Sequence, residues 1–344
     1  AAVDEAVNQA RRFRLASAAG FVNAVLRKAA LAQVDTPPEL QPPDAADARR
    51  HAEFVLSHPP ALFDRIRKLV ATDEAALALC RHNNAEPPTL VRLSPGTDPA
   101  ALAGEGLEVL RHEQAGIAVV VGGKQRHFAA WAEAGLAQVQ DATSAKLGQL
   151  IDAKPGMRVL DRCCGNGTKT FQILEMMGHD GEVLAVDADA KRIERLQQSL
   201  AKRGCAGRGG AGVTARHAGE VDADTDGLFD RILIDAPCSN SGVLPRRPEA
   251  KYRQDARRLA SLAELQRDIL KNTLGLLAPG GKLIYLTCSL WPEENEAVAD
   301  ALGQLRPDLE EVARHRVMPS FGEGPVNRQE TYRDGGFGVV FRRK

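Results

Sequence analysis

The 344-residue sequence has no CxxC pair, no low-complexity tract, no internal repeat and no hydrophobic targeting core at its start. Without CxxC pairs neither a zinc ribbon nor a dithiol redox centre is expected, and no metal is called for. The six cysteines, at 80, 163, 164, 205, 238 and 288, are irregularly spaced, as in a cytoplasmic protein with reduced thiols. No apolar run approaches membrane-spanning length; Ile117 to Val121 is far too short. Charge has no overall sign, with 45 Lys plus Arg against 45 Asp plus Glu, so net charge singles out no partner. Aromatics are only 4% of residues, and no aromatic-rich RNA-binding signature stands out. The chain opens without Met inside a helical pattern, which points to a fragment of something longer.

What is present suffices for two or three domains with real cores. Residues 1 to about 34 read as helical, with Val3, Val7 and Ala10, then Phe21, Val25 and Leu26, at helical spacing. The proline cluster between Asp35 and Pro43 reads as a linker. A helical segment is expected over roughly 45–82, on Phe54, Leu56, Leu62, Ile66 and Leu69. From Thr89 to Phe128 short strands (Leu90–Leu93, Ile117–Val121) surround one helix expected near 98–105, a small α+β module. Beyond about 137, strand and helix patterns alternate as in a doubly wound parallel sheet. Its strands are Val159–Asp161, Val183–Val186, a weaker Val213–Ala215, Arg231–Ile234 and Leu283–Leu286. A helix over about 256–277 stops at Pro279-Gly280-Gly281, and Pro292, with Glu293 and Glu294 favouring its dipole, opens the next.

Gly165-Asn166-Gly167 lies between the first strand and its helix, where small residues let backbone N–H groups approach a ligand. The P-loop reading fails, because Lys169-Thr170 is preceded by Thr168 where that motif needs glycine. Asp187, at the tip of the second strand, stands where a nucleotide fold places a ribose-binding carboxylate. Asp161 reads as a strand-end or turn-organising carboxylate. Together these favour an adenosine-containing cofactor and leave nicotinamide and S-adenosylmethionine both open.

Cysteines follow two of the strands: Asp235-Ala236-Pro237-Cys238 and Thr287-Cys288-Ser289. In an open parallel sheet the crevice lies outside the carboxyl ends of the strands, so two thiols and a carboxylate are expected at one edge. Methylation at C5 of cytosine calls for such a set. C5 is a poor nucleophile until a thiolate adds at C6 and turns the ring into an enamine. A carboxyl near N3 can stabilise the developing charge, and a second thiol can assist release. A lone strand-end cysteine is more often an inert buried residue, and Cys80, Cys163, Cys164 and Cys205 are read that way. The pair Cys238 and Cys288 is not.

The stretches Asp235 to Tyr252 and Tyr285 to Glu296 resemble the bacterial ribosomal RNA cytosine-5 methyltransferases. They are most similar to the small-subunit (16S) enzymes that carry a NusB-like N-terminal domain. The likeness extends through Gln140–Ser144, Val159–Thr170, the Asp187 strand and Gly335-Gly336-Phe337, while residues 1–30 resemble the end of a NusB-like domain. The resemblance implies a Rossmann-like, S-adenosylmethionine-dependent catalytic domain over 137–344. Before it stand a partial all-α NusB-like RNA-binding segment (1–35), a Pro-rich linker (36–50) and a small helical/α+β RNA-binding module (51–136). It implies that Cys288 is the nucleophile, that Cys238 assists product release, and that Asp235 sits beside cytosine and donor. The loop Cys163, Cys164, Gly165, Asn166, Gly167, Thr168, Lys169 would wrap the donor, and Asp187 would hold its ribose. The basic run after Cys238, with Arg246, Arg247, Lys251 and Arg253, becomes the candidate RNA contact.

The sequence departs from the family pattern where Cys163-Cys-Gly-Asn-Gly-Thr-Lys-Thr170 replaces Cys-Ala-Ala-Pro-Gly-Gly-Lys-Thr. His217 stands where an aspartate usually follows the third strand. These departures motivate a rival reading, an RNA-binding assembly factor that kept the fold and lost the donor site. A nicotinamide-dependent oxidoreductase explains the glycine turn and Asp187 but leaves the paired thiols without work.

Overall fold

The computed structural model describes residues 3, 7–8, 10, 18–31, 47–104, 106–207, 212–222, 226–321 and 329–344. Residues 1–47 and 48–344 form two compact units. In the first, helix α1 (Ala19–Leu31) follows the expected apolar spacing. The expected proline-rich linker falls almost wholly outside the described residues.

The second unit opens with three helices where the sequence suggested one segment: α2 (Ala48–Phe54), α3 (Pro60–Leu69) and α4 (Asp73–Asn84). Pro59 and Pro60 end the first run, since proline has no N–H to continue a helix yet suits its opening position. Thr72 starts α4 afresh, its Oγ1 accepting the Ala75 N–H at 3.2 Å. Leu62, Phe63, Ile66 and Leu79 share one core with Leu244, Leu259, Leu290 and Trp291 from the far end of the chain. Helices and catalytic region are thereby packed together.

A four-stranded antiparallel sheet follows, ordered β2 (Glu108–Arg111), β3 (Ile117–Val121), β1 (Thr89–Leu93), β4 (Ala137–Val139). Alternation sends Leu90 and Val119 to one face, against Ala142, Ala145 and Tyr332, and Val91 and Val120 to the other, against Trp131. The helix expected near 98–105 is only a 3₁₀ turn, Pro99–Leu102. Gly104 and the left-handed Gly106 stop it within one turn. The helix of this module is α5 (Gln125–Glu133), whose Phe128 and Trp131 meet edge to face at 5.6 Å.

The larger sheet has seven strands, ordered β10 (Leu309–Val317), β11 (Gly336–Arg343), β9 (Leu277–Thr287), β8 (Phe229–Asp235), β5 (Arg158–Asp161), β6 (Glu182–Asp187), β7 (Gly212–His217). Strands β5 to β9 run parallel and β11 antiparallel to both neighbours, so the sheet is mixed rather than wholly parallel. Among the crossover helices are α6 (Ala142–Gly148), α7 (Thr168–Met176), α8 (Ala190–Lys202), α9 (Ala256–Thr273) and α10 (Glu296–Leu305). Helix α9 ends before the expected 277, and Pro279-Gly280-Gly281 instead forms an irregular start to β9. Fully buried side chains such as Phe337 and Leu283 each contribute about 1.5–3 kcal/mol by leaving water.

The chain order reverses between β5 and its neighbours β6 and β8, which places a crevice at their carboxyl ends. Asp161, Asp187 and Asp235 are the last residues of β5, β6 and β8, and Cys288 directly follows β9. Among the described residues no helix is long and apolar enough to cross a membrane.

Candidate active site

A cleft of about 800 Å³ opens at this edge. Its walls include Asp161, the turn Cys163–Asn166, Thr168, Lys169, Asp235, Cys238 and Cys288. The turn is drawn in by Asp187, whose Oδ2 accepts the Gly165 N–H at 3.0 Å and whose Oδ1 accepts the Asp189 N–H at 2.9 Å. Gly165 and Gly167 both take positive φ. Gly167 takes φ 88°, a conformation that favours glycine, where α7 starts over Leu196 of α8. Gly167 is therefore a packing residue beneath the cleft and is not among its lining residues. His217 is not among them either; its Nδ1 accepts from Gly219 N–H and its Nε2–H donates to the Ala188 carbonyl at 3.0 Å. The structure thus gives His217 a turn-closing contact, where the sequence suggested the donor.

Asp161 is completely buried. Its Oδ2 accepts from Thr170 Oγ1 at 2.6 Å, while Oδ1 has no protein partner. Burial, against the pull of Thr170, pushes this carboxyl up to about 7. An unpartnered carboxylate oxygen on a residue lining the cleft calls for a ligand that brings a hydrogen-bond donor or a positive charge. Burial pushes the Cys163 and Cys80 thiols to about 12, and the Cys164 and Cys205 thiols also upward, which suits inert cysteines.

The two cysteines of interest meet. Cys238 Sγ and Cys288 Sγ lie 3.1 Å apart. The hydrogen bond to Cys288, reinforced by burial, holds the Cys238 thiol well above its ordinary range. Cys288 Sγ also donates to Asn240 Oδ1 at 3.3 Å. Asn240 sits in the left-handed region at φ 61°, which asparagine tolerates. Beside the thiols, Lys169 Nζ donates to Asp235 Oδ2 at 2.7 Å and to Ser144 Oγ at 3.0 Å. Burial alone would lower the Lys169 pKa; the Asp235 carboxylate outweighs it and raises the value. Lys169 spends its charge on Asp235, leaving Asp235 Oδ1 without a protein donor among the described residues.

What holds the two cysteine loops together was not foreseen. Glu294, read in the sequence as a helix-opening acid, is completely buried. Its Oε1 accepts from the Ser239 N–H (2.8 Å) and Gln266 Nε2 (3.2 Å), and its Oε2 from Ser239 Oγ (2.5 Å) and Ser289 Oγ (2.6 Å). Ser239 and Ser289 each follow a cysteine directly, so one carboxylate ties both loops. The Cys–Ser pairs at 238–239 and 288–289 are the signal that could have suggested it. Gly242 completes the junction: its N–H donates to the Cys288 carbonyl at 2.9 Å, and a Cβ there would lie 2.8 Å from that same oxygen.

The four basic candidates separate. Lys251 is only 6% exposed and donates to Asn84 Oδ1, so it anchors the turn to α4 and is removed from the RNA-facing set. Arg246 is likewise committed inward: it donates to Asp334 Oδ2 at 2.6 Å, lies over Tyr332 and contacts the Pro88 carbonyl. Arg247 and Arg253 line the cleft and are exposed.

A Rossmann-like sheet with a glycine turn and a cleft at its switch point, in a chain that matches a methyltransferase family model over residues 148–330, is that of an S-adenosylmethionine-dependent methyltransferase. The solved methyltransferase homologue from Pyrococcus horikoshii has this fold, with TM-score 0.66 and 22% identity over 87% of this chain and 99% of that one. The chain belongs to the 16S rRNA methyltransferase RsmB/F family, whose model matches residues 148–330. The NusB family model matches residues 1–31. Ribosomal RNA small subunit methyltransferase B of Pseudomonas syringae pv. tomato is 34% identical over 309 residues, 88% of this chain and 66% of that protein. The Pseudomonas putida protein of the same name is 32% identical over 320 residues, 91% of this chain and 70% of that protein. The chain thus spans about two thirds of the length of these relatives.

The residues present fit S-adenosylmethionine. The unpartnered Asp161 oxygen suits its cationic end and the start of α7 offers backbone N–H groups, while Asp187, which is not among the lining residues, holds the Gly165 turn and would meet ribose hydroxyls only through its remaining lone pairs. Replacing Asp187 by alanine frees the Gly165 turn and removes the ribose acceptor together. Calorimetry is expected to show S-adenosylmethionine binding weakened on the order of tenfold to a hundredfold. Unchanged affinity would remove Asp187 from the donor site.

Proposed function

We propose that this protein transfers a methyl group from S-adenosylmethionine to C5 of a cytosine in small-subunit ribosomal RNA through a covalent adduct with Cys288. The observation that carries the proposal is the meeting of Cys238, Cys288 and Asp235 in one cleft with the donor turn. A protein that kept only the fold for assembly has no chemical use for that set.

In this reading the Cys288 thiolate adds to C6, forming a C–S bond and moving the ring electron pair to C5. S-adenosylmethionine supplies the electrophilic methyl group that C5 takes up. Transfer of the C5 proton to a water molecule in the cleft then returns the electron pair, breaks the C–S bond and restores the ring double bond. Asp235, held by Lys169, hydrogen-bonds the edge of the base around N3 as charge develops. Cys238, with its thiol held protonated 3.1 Å from Cys288, gives its proton to the departing Cys288 sulfur in the elimination half. Asn240 and the buried Glu294 keep the two sulfurs in register.

The test is methyl transfer from labelled S-adenosylmethionine to small-subunit ribosomal RNA lacking its own methylations, followed by mapping of the product. One 5-methylcytosine at a single position is the expected result. Label on an amino nitrogen, or none from a protein that binds the donor, would end the reading.

A further inference from the structure

The turn that follows the cysteine loop alternates sharply between buried and exposed. Within the 3₁₀ turn Pro248–Tyr252 and the two residues after it, Ala250, Lys251 and Gln254 are 4%, 6% and 5% exposed, whereas Tyr252 is 69% exposed. Each inward residue is anchored. Lys251 donates to Asn84 Oδ1, and Gln254 Nε2 donates to the Ala250 carbonyl at 2.7 Å and the Ser239 carbonyl at 3.1 Å. Gln254 Oε1 accepts from Trp291 Nε1 at 2.7 Å. The turn is thus fastened to the residue after Cys238, and its outward side chains are displayed on a rigid base.

Those outward side chains are mostly basic, with Glu249, which also lines the cleft, and Asp255, which caps α9, as the acidic exceptions. Arg247 and Arg253 line the mouth of the cleft, and Arg257 and Arg258 continue along α9. All four are exposed, and none has a carboxylate partner among the described residues. Tyr252 sits among them, and no hydrogen bond to its hydroxyl is found among the described residues. The other two tyrosines, Tyr285 and Tyr332, are buried and bonded through their hydroxyls. A flat apolar ring set among free guanidinium groups beside a catalytic cleft has the chemistry of a single-stranded nucleic-acid platform, bases on the ring and phosphates on the arginines.

We infer that Tyr252 stacks on an unpaired base neighbouring the target cytosine, while Arg247 and Arg253 hold the adjoining phosphates. The inference rests on the RNA methylation reading above and adds where the flanking strand lies. It explains how one base can be presented to the thiols without base-edge readout: stacking fixes the neighbour, and the rigid turn fixes the distance.

Fluorescence anisotropy with a short fluorescein-labelled, cytosine-containing single-stranded RNA, titrated at several potassium chloride concentrations, tests this. Tyr252→Ala is expected to weaken binding on the order of tenfold at every salt concentration without changing the salt slope. Tyr252→Phe keeps the ring and should bind as the unaltered protein does. Arg253→Gln is expected to lower the slope by about 0.7. Equal affinity for the alanine and unaltered proteins overturns the inference. A loss with Tyr252→Ala that disappears along the salt series also overturns it. Methyl transfer by the unaltered protein is scored on the same preparation. Transfer with no Tyr252 effect removes the stacking inference alone, whereas neither transfer nor RNA binding removes the underlying reading and this inference together.

Discussion

In the Cys238→Ala protein a covalent protein–RNA adduct is expected to persist, visible as a species that survives denaturing gel electrophoresis. The Cys288→Ala protein should form none, and its transfer rate should fall on the order of 10⁴-fold or more. The argument starts from geometry. With the sulfurs 3.1 Å apart, either thiol is close enough to reach the same ring carbon after a small rotation. Position does not choose between them; the proposed assignment follows the resemblance of the Pro237-Cys238 and Thr287-Cys288-Ser289 motifs to the family's two cysteines, and the adduct experiment tests it. Cys238 lies where its bond to Cys288, burial and the nearby Glu294 all hold the proton on sulfur. In the proposed assignment that proton serves the departing Cys288 sulfur in the elimination half. Cys288 donates to the neutral Asn240 amide and lies at the end of β9, opening into the cleft. Mass spectrometry of the trapped adduct locates the linkage. An adduct on Cys238 in the Cys288→Ala protein, with turnover, would exchange the two roles.

Removing the Glu294 carboxylate should cost more stability than any other single change at this site. Glu294→Ala orphans the buried Ser239 N–H and takes the shortest acceptor from the Ser239 and Ser289 hydroxyls, which are left with longer contacts to Ser241 and to each other, while the Gln266 amide keeps only the Pro237 carbonyl. Isolated buried groups cost about 1–3 kcal/mol each when orphaned, but water and relaxation recover part of that. The expected loss is about 3–5 kcal/mol, a large share of the roughly 5–15 kcal/mol that holds a domain folded. Urea unfolding monitored by tryptophan fluorescence reads it directly, since Trp291 shares this region through Gln254. Glu294→Gln keeps the volume and one acceptor, so its loss should be smaller while adduct formation still slows. An alanine protein as stable as the original would mean the loops are held by something else, such as the packing around Gly242 and Gly335.

Much of this site could be read in advance because its geometry is repetitive. Apolar runs ending in Asp161, Asp187, Asp235 and Thr287 mark strands, and a parallel sheet must bring such ends to one edge whatever the side chains between them. Other features depended on partners remote in sequence. Glu294 resembles any acid near a helix start until Ser239, 55 residues away, is placed against it. Lys251 belongs to a basic run on paper, and α4, with Asn84 at its end, takes it out of solvent. Local signals also competed. Pro59-Pro60 and the Thr72 cap divided one expected helical segment into three, and two glycines limited another to a single 3₁₀ turn.

By itself the sequence determined the class of chemistry: two thiols and a carboxylate at strand ends, a glycine turn and an aspartate one strand over. Strand periodicity and turn residues act over a few positions and need no tertiary information. Only the tertiary structure decided which charges are free to work. Lys169 is consumed by Asp235, Arg246 by Asp334 and Lys251 by Asn84, while Arg247, Arg253 and the exposed Tyr252 face outward. The reason is physical. A polar group's role depends on whether burial forces it to find a partner, and burial is set by how distant segments pack.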